Sequence, residues 1–458
     1  MTVMFNLQLL KYAFLAAVIA MFLPLPIMQY VAEESYYALG AYEIFVDGHW
    51  WYQSVFGLPW PKTPLYNWLI IGVAQVIGWQ QLEIATRLVT VSASLGSAAV
   101  VFFMAHRLFP QQQTTPWLAA LIYLTMGEIT FWYGWLGYAD ATFGFFIFAA
   151  ISSLWIAIED EQVKWLLLSL VLISLAFLTK NVSCYVMYGS AGLVLLWRYK
   201  QWHLLLKPLY VLPVLVSFSL PWMYQNLILA GGANASVAIG DAMRNFLGYS
   251  LFKYISHWVS YPLLFLGRAF PVTLILIWLY LKEKQRYVLS RDLVTMLYIL
   301  LICLLPFWLS AAGTPRYLIP FYGLLALVVT GLTLQLNIRQ SALVFKVIII
   351  VILIKIPYSF AALPYIKDWR PERDIRAVVE DIMQITDGKT LRTKNDVSTG
   401  LSIGCYINVR TPHDQFVHWY DGKEHQVYIL SEVEDPKLGE LVKQWRLQGN
   451  HTYLYWQP

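Results

Sequence analysis

Two acids and a lysine stand near one another early in the chain. They occur in Glu33-Glu34-Ser35-Tyr36-Tyr37 and in Trp60-Pro61-Lys62-Thr63-Pro64-Leu65-Tyr66. A carboxylate can take a proton from an acceptor hydroxyl or orient it. A fixed cation can stabilise charge on a departing phosphate. Both segments follow the first apolar run, so the set would lie at a water–lipid boundary, where it suits chemistry on a phosphate-bearing lipid. Glu33 and Glu34 are adjacent and would point in different directions on a helix, so at most one is expected to act chemically. The structural alternative is that both simply open a helix, where the dipole favours acids.

Further candidates lie downstream. Asp140, in Gly137-Tyr138-Ala139-Asp140-Ala141-Thr142, sits at the edge of an apolar run. It is either a helix cap or one of the costly membrane-edge acids that tend to be functional. Glu128 lies earlier, in an apolar stretch, and needs a partner or a wet cavity; it and Asp140 would line one cleft if the fold allowed. The basic candidates are Lys62, Arg87, Lys180, Arg316 and His257. Any one alone reads as a side chain snorkelling to headgroups. Several on the side of the acids read as a phosphate clamp. His257 would donate to a phosphate, carry a proton or ligate a metal. A divalent metal is possible but not indicated, because no second His stands at helical spacing.

The elements that must position these groups are mostly membrane spans. Of 458 residues, 59% are hydrophobic and only 13% charged, against roughly 25% charged in soluble globules. Net charge is +5 with no long basic run, so nucleic acid is not an expected partner. Three cysteines without CxxC spacing indicate neither a disulfide framework nor a thiolate site. A span needs roughly 20 apolar residues. The runs 9–28, 86–105, 116–133, 141–158, 163–179, 183–198, 204–223, 259–281, 293–311, 317–335 and 343–363 fit, giving about eleven. The first reads as a retained helix, since no small-residue cleavage site follows it. The segment 65–79 is short and holds Asn67 and Gln75, so it is expected to lie along or dip into the surface.

Lys and Arg bias sets orientation. With the N-terminus inside, Arg107, Arg198, Lys200, Lys207, Lys282 and Arg291 fall on the cytoplasmic side. Glu33, Glu34, Asp47, Asp140 and Asp241 fall outside. The 29–85 and 224–258 loops and a tail from about 364 are then extracytoplasmic. The tail reads as a small α/β domain over 364–458, after a transmembrane domain over 1–363. Its expected helices are Glu372 to Gln384 and Lys437 to Trp445, and its expected strands Thr390 to Thr393, Gln426 to Ser431 and Thr452 to Trp456. No internal repeat is evident.

In order, these motifs resemble those of bacterial GT-C glycosyltransferases related to protein O-mannosyltransferases and to the lipid A aminoarabinose transferases. The order is an acidic pair with a following Tyr, Lys62-Thr63-Pro64, Ala85-Thr86-Arg87-Leu88, Asp140, Leu178-Thr179-Lys180 and Pro315-Arg316-Tyr317-Leu318-Ile319-Pro320. The resemblance implies that Glu33 holds the family's catalytic acid position, with Glu34 and Tyr37 matching the residues after it. It implies that Lys62 holds the lipid phosphate, aided by Arg316 and Tyr317. Asp140 matches the acid of the second outer loop and would assist Glu33 in catalysis, while Arg87 and Lys180 match further motif positions. Glu33 stands where the family usually has Asp, and Lys62-Thr63-Pro64 where it has Lys-Pro-Pro. Pro61 replaces a Glu found in the aminoarabinose enzymes, which weakens the expectation of the same metal site or the same sugar.

The resemblance further implies a GT-C fold and an inverting transferase in the bacterial inner membrane. Its donor is a polyprenyl-phosphate sugar and its acceptor a lipid, glycan or protein on the outer face. Trp50, Trp51 and Trp60 would stack on the sugar. The competing class is a transporter or lipid-linked sugar flippase, which explains the spans equally well but predicts repeats and midplane charges. A non-catalytic scaffold is a third reading.

Overall fold

The computed structural model describes residues 6–60, 62–110, 112–228, 249–284, 286–311 and 313–458. Asp241 and most of the 224–258 loop lie outside the described residues. The chain forms two compact units. One comprises 1–22, 90–135 and 139–355; the other comprises 23–89, 136–138 and 356–458.

The first unit is a bundle of apolar helices. Ala139–Glu159 is at its centre, with 89% of its most apolar stretch buried. In Arg291–Leu309 the corresponding share is 39%, so that helix presents much of its apolar surface outward. Outward apolar surface is what a lipid solvent accepts, and helices satisfy their own backbone groups there. Among the described residues, five helices are long and apolar enough to cross a membrane, or six if one bent pair counts as a span. Leu7–Phe22, Thr115–Leu124 and Val163–Thr179 are apolar but shorter, so the count of about eleven is not reproduced.

Two expected spans are broken. The run 259–281 divides into Leu251–Arg268 and Val272–Lys282, which meet at 110°. Pro271 at the junction has no N–H to continue the ladder. The run 116–133 divides into Thr115–Leu124 and Gly127–Phe131, separated by Thr125 and Met126. The Gly127 N–H donates outside its own helix, to the Phe270 carbonyl, at 2.8 Å.

The second unit combines the segment after the first apolar run with the tail. Leu65–Ile77 has 13 residues, about 20 Å of helix, too short to cross a bilayer core. Before it, Gln53–Val55 (β1) and Leu58–Trp60 (β2) form an antiparallel hairpin. Its two turn residues, Phe56 and Gly57, have φ of 55° and 77°, as a type I′ turn requires. An aromatic residue rarely adopts this conformation. Phe56 is held there because its N–H donates to Glu43 at 2.7 Å, its carbonyl accepts from the Trp419 N–H at 2.9 Å, and its side chain is buried.

The tail carries a five-stranded mixed sheet in the order β4-β3-β5-β7-β6. The strands are Leu391–Thr393 (β3), His418–Trp419 (β4), Val427–Ser431 (β5), Glu440–Leu447 (β6) and Asn450–Gln457 (β7). Tyr420, Val427, Ile429, Leu438, Tyr453 and Tyr455 form its core. Two helices, Ile375–Thr386 and Ser398–Asn408, accompany it. The expected helix from Lys437 to Trp445 is instead mostly β6. Leu, Lys, Gln and Arg suit a helix in isolation, but the turn at Gln448-Gly449, φ 54° and 91°, folds this segment back on β7.

Candidate functional site

In the loop-and-tail unit the adjacent acids part completely. Glu34, the first residue of the helix Glu34–Asp47, is buried and bonded at both oxygens. Arg87 donates to it through Nε at 3.0 Å and Nη2 at 2.7 Å. The Gly137 N–H donates to Oε1 at 2.6 Å and the Val31 N–H to Oε2 at 2.7 Å. Arg87 is fully buried, and its remaining donors reach the carbonyls of Leu25, Met28 and Gln29 at 2.6–3.1 Å. A Cβ at position 137 would meet Thr86 at 2.6 Å, so only glycine brings this N–H so close to the carboxylate. Glu34 and Arg87 therefore tie three chain segments together, 25–34, Arg87 and Gly137, and have little left for a substrate.

Glu33 is exposed. Its N–H donates to the buried Tyr138 hydroxyl at 3.0 Å, which anchors the backbone while leaving the carboxylate outside. Burial and the nearby Glu33 charge raise the Tyr36 phenol pKa. Lys62, also exposed, holds its ammonium 4.5 Å from the centre of the Tyr36 ring and 5.8 Å from that of Tyr37. Tyr37 is buried against Tyr66 and Tyr138. Trp60 meets Tyr36 edge-on at 6.0 Å. An exposed acid and an exposed cation thus share one tyrosine. Trp50 and Trp51 are exposed, with the Trp51 ring against Trp68.

In the helical unit Asp140 lies in the first turn of Ala139–Glu159 and is buried. Its Oδ1 accepts from Lys180 at 2.5 Å. Its Oδ2 is buried with no hydrogen-bond partner among the described residues. The same lysine ammonium lies 4.7 Å from the Tyr317 ring centre. Glu128 does not join this pair: Arg268 donates to both its oxygens at 2.7 Å. His257 packs on Tyr261 at 4.5 Å, and its Nε2 is 3.2 Å from the Phe307 carbonyl. Among the described residues no three His, Cys, Asp or Glu side chains gather as metal ligands.

The sequence assigned no role to Tyr36, Tyr138 or Arg268. Tyr36 and Tyr138 had a signal, lying three residues from Glu33 and two from Asp140. Arg268 had none beyond its charge at the end of an apolar run.

The family model described as dolichyl-phosphate-mannose-protein mannosyltransferase matches residues 61–224. The undecaprenyl phosphate-alpha-4-amino-4-deoxy-L-arabinose arabinosyl transferase of Pseudomonas aeruginosa (strain UCBPP-PA14) is 28% identical over 202 residues. That alignment covers 42% of this chain and 36% of the relative. A second such transferase, from Pseudomonas fluorescens (strain Pf0-1), is 25% identical over 201 residues with the same coverage. The chain thus matches about a third of the length of these curated relatives. The apo crystal structure of ArnT from Cupriavidus metallidurans superposes with a TM-score of 0.69 at 15% identity, covering 97% of each chain. The form bound to undecaprenyl phosphate gives 0.68 at 12% identity, covering 98% of this chain and 97% of that one. The fold is therefore GT-C, and the chain is a multi-pass membrane protein similar to these transferases.

Proposed function

From this fold and these likenesses we propose that the protein is an inverting glycosyltransferase. It moves a sugar from a polyprenyl-phosphate carrier to a lipid, glycan or protein acceptor. The observation that carries the reading is that exposed Lys62 packs its ammonium on Tyr36, whose N–H donates to the carbonyl of exposed Glu33 at 3.2 Å. The acceptor oxygen attacks the anomeric carbon as the bond from that carbon to the phosphate oxygen breaks. Its electron pair leaves on the lipid phosphate, where the Lys62 ammonium stabilises it. The acceptor proton, when the acceptor is a hydroxyl, passes to Glu33; a phosphate acceptor needs Glu33 only for positioning. Asp140 holds Lys180, and Arg316, Tyr317 and Lys180 give the helical unit its own phosphate-compatible surface. The lysine and arginine bias supports an inner-membrane location with this chemistry on the periplasmic side.

The test compares cell-envelope glycolipids, polysaccharides and glycoproteins by mass spectrometry in null, wild-type and Glu33→Gln strains. A sugar-sized mass missing from both null and mutant is expected. In vitro, Glu33→Gln should slow transfer by about 10²–10⁴ while leaving thermal stability unchanged, since the side chain is exposed. An unchanged profile, with a lipid-linked sugar trapped on the cytoplasmic side, would overturn the reading in favour of a flippase.

A further inference from the structure

A cavity of about 590 Å³ opens within the loop-and-tail unit, and neither Glu33 nor Lys62 lines it. Its volume falls within the roughly 300–1,000 Å³ of small-ligand sites. The exposed lining is mostly polar, which excludes an acyl or prenyl tail as its occupant. Trp79 stands in one wall, half-buried, its ring in contact with Tyr42 at 5.1 Å and Phe45 at 4.7 Å. Tyr406 adds a second ring, packed on Tyr30 at 5.0 Å. Rigid aromatic faces of this kind suit the C–H face of a sugar ring.

The polar lining has a definite chemistry. Arg376 donates to Glu83 at 2.6 Å, which fixes its guanidinium, yet 40% of the side chain stays exposed. Arg410 pairs with Glu380 and remains 37% exposed. Nη2 of Arg376 also donates to the Met28 carbonyl at 3.4 Å; a guanidinium carries five donors, so these contacts still leave Nε and Nη1 for a ligand. Planar forks match carboxylate and phosphate oxygens. Exposed Gln81 and partly buried Glu83 supply the mixed donors and acceptors that vicinal hydroxyls use. Among charged lining groups, the two arginines outnumber the single glutamate.

We propose that this cavity binds an anionic saccharide unit, a sugar bearing a phosphate or carboxylate. The ring lies on Trp79 and the anion on Arg376 and Arg410. On the transferase reading, the unit belongs to the acceptor, which is gripped here at a point other than the reacting one.

The test uses the full chain in detergent micelles and saturation-transfer NMR. The probes are glucose 6-phosphate, glucuronate, glucose and inorganic phosphate. Ring-proton saturation is expected for both acidic sugars, with Kd near about 1 mM. Binding of glucose should be about tenfold weaker, and inorganic phosphate at equal concentration should not displace the acidic sugars. Trp79→Ala and Arg376→Gln should each weaken binding about tenfold. Arg410→Lys, at an exposed position that threatens folding least, keeps the charge and loses the fork, and should weaken binding severalfold. The proposal is overturned if folded wild type saturates neither acidic sugar. It is equally overturned if Trp79→Ala and Arg410→Lys bind like wild type, or if phosphate alone displaces the sugars. Glu33→Gln should bind normally. Loss of transfer in Glu33→Gln without any sugar binding sinks this site alone; binding with no transfer in wild type sinks the transferase reading alone.

Discussion

Glu34 in the loop-and-tail unit and Asp140 in the helical unit are both buried acids paired with a cation, but the pairs differ in kind. Every oxygen of Glu34 and every guanidinium nitrogen of Arg87 is bonded, largely to backbone. Asp140 has one oxygen on Lys180 and one without a partner among the described residues, and Lys180 is 17% exposed. A saturated buried pair fixes geometry. An unsaturated one retains acceptor capacity at a cost of about 1–3 kcal/mol per orphaned group, which suits a site that must bind something. Charge and burial alone do not separate the two; their remaining bonds do.

Breaking the saturated pair should have the larger effect on stability. Arg87→Met leaves the Glu34 carboxylate buried and uncompensated, and should cost about 3–5 kcal/mol, read as a fall in the thermal unfolding midpoint of the purified protein. A loss under about 1 kcal/mol would mean that the lock is not structural.

Glu43 sharpens the contrast, because it too is saturated, by the Phe56 and Gly57 N–H groups of the hairpin turn. Burial pushes its pKa from 4.5 up to about 7. Between those values the folded chain holds a proton that the unfolded chain has released. The contribution is therefore complete below about 4.5 and lost as pH rises to about 7. The expected change is at most about 3 kcal/mol. Unfolding midpoints measured across that window should fall in wild type and flatten in Glu43→Gln; identical slopes would remove Glu43 as the cause.

The open pair should break more gently. Asp140→Asn leaves Lys180 able to turn toward water, so stability should drop only about 1–2 kcal/mol, while transfer slows by about tenfold or more. If stability collapses and residual turnover per folded molecule is normal, Asp140 is structural like Glu34. The smallest effect is expected at Trp51, whose exposed ring should change stability by less than about 0.5 kcal/mol on replacement by Ala. A raised KM for the donor sugar in Trp51→Ala would support its stacking on substrate; unchanged kinetics would remove it from the site.

Much of the helical unit is legible in the chain because lipid imposes a simple rule: long apolar runs must close their own hydrogen bonds. Ala139–Glu159, Val163–Thr179 and Arg291–Leu309 appear where apolarity predicts. The rule is blind to breaks, and so it does not predict the bend at Pro271 or the interruption at Thr125-Met126. In the tail, β6 was misread because its side chains suit either state and its partner strand decides. Ser398–Asn408 was missed because its two glycines weaken helix propensity; it is held by packing, including the Ser402 hydroxyl on that of Ser35 at 2.9 Å.

The sequence by itself determined the membrane character, the positions of most apolar helices and the small set of charges able to do chemistry. It also separated Glu33 from Glu34 in principle, since neighbours on a helix face apart. Which of the two is buried was decided only by the fold, because Arg87 stands 53 residues from Glu34 and Gly137 stands 103. The same holds for Asp140 with Lys180 and Glu128 with Arg268. A buried charge takes its meaning from partners distant in the chain, and local pattern carries no record of them.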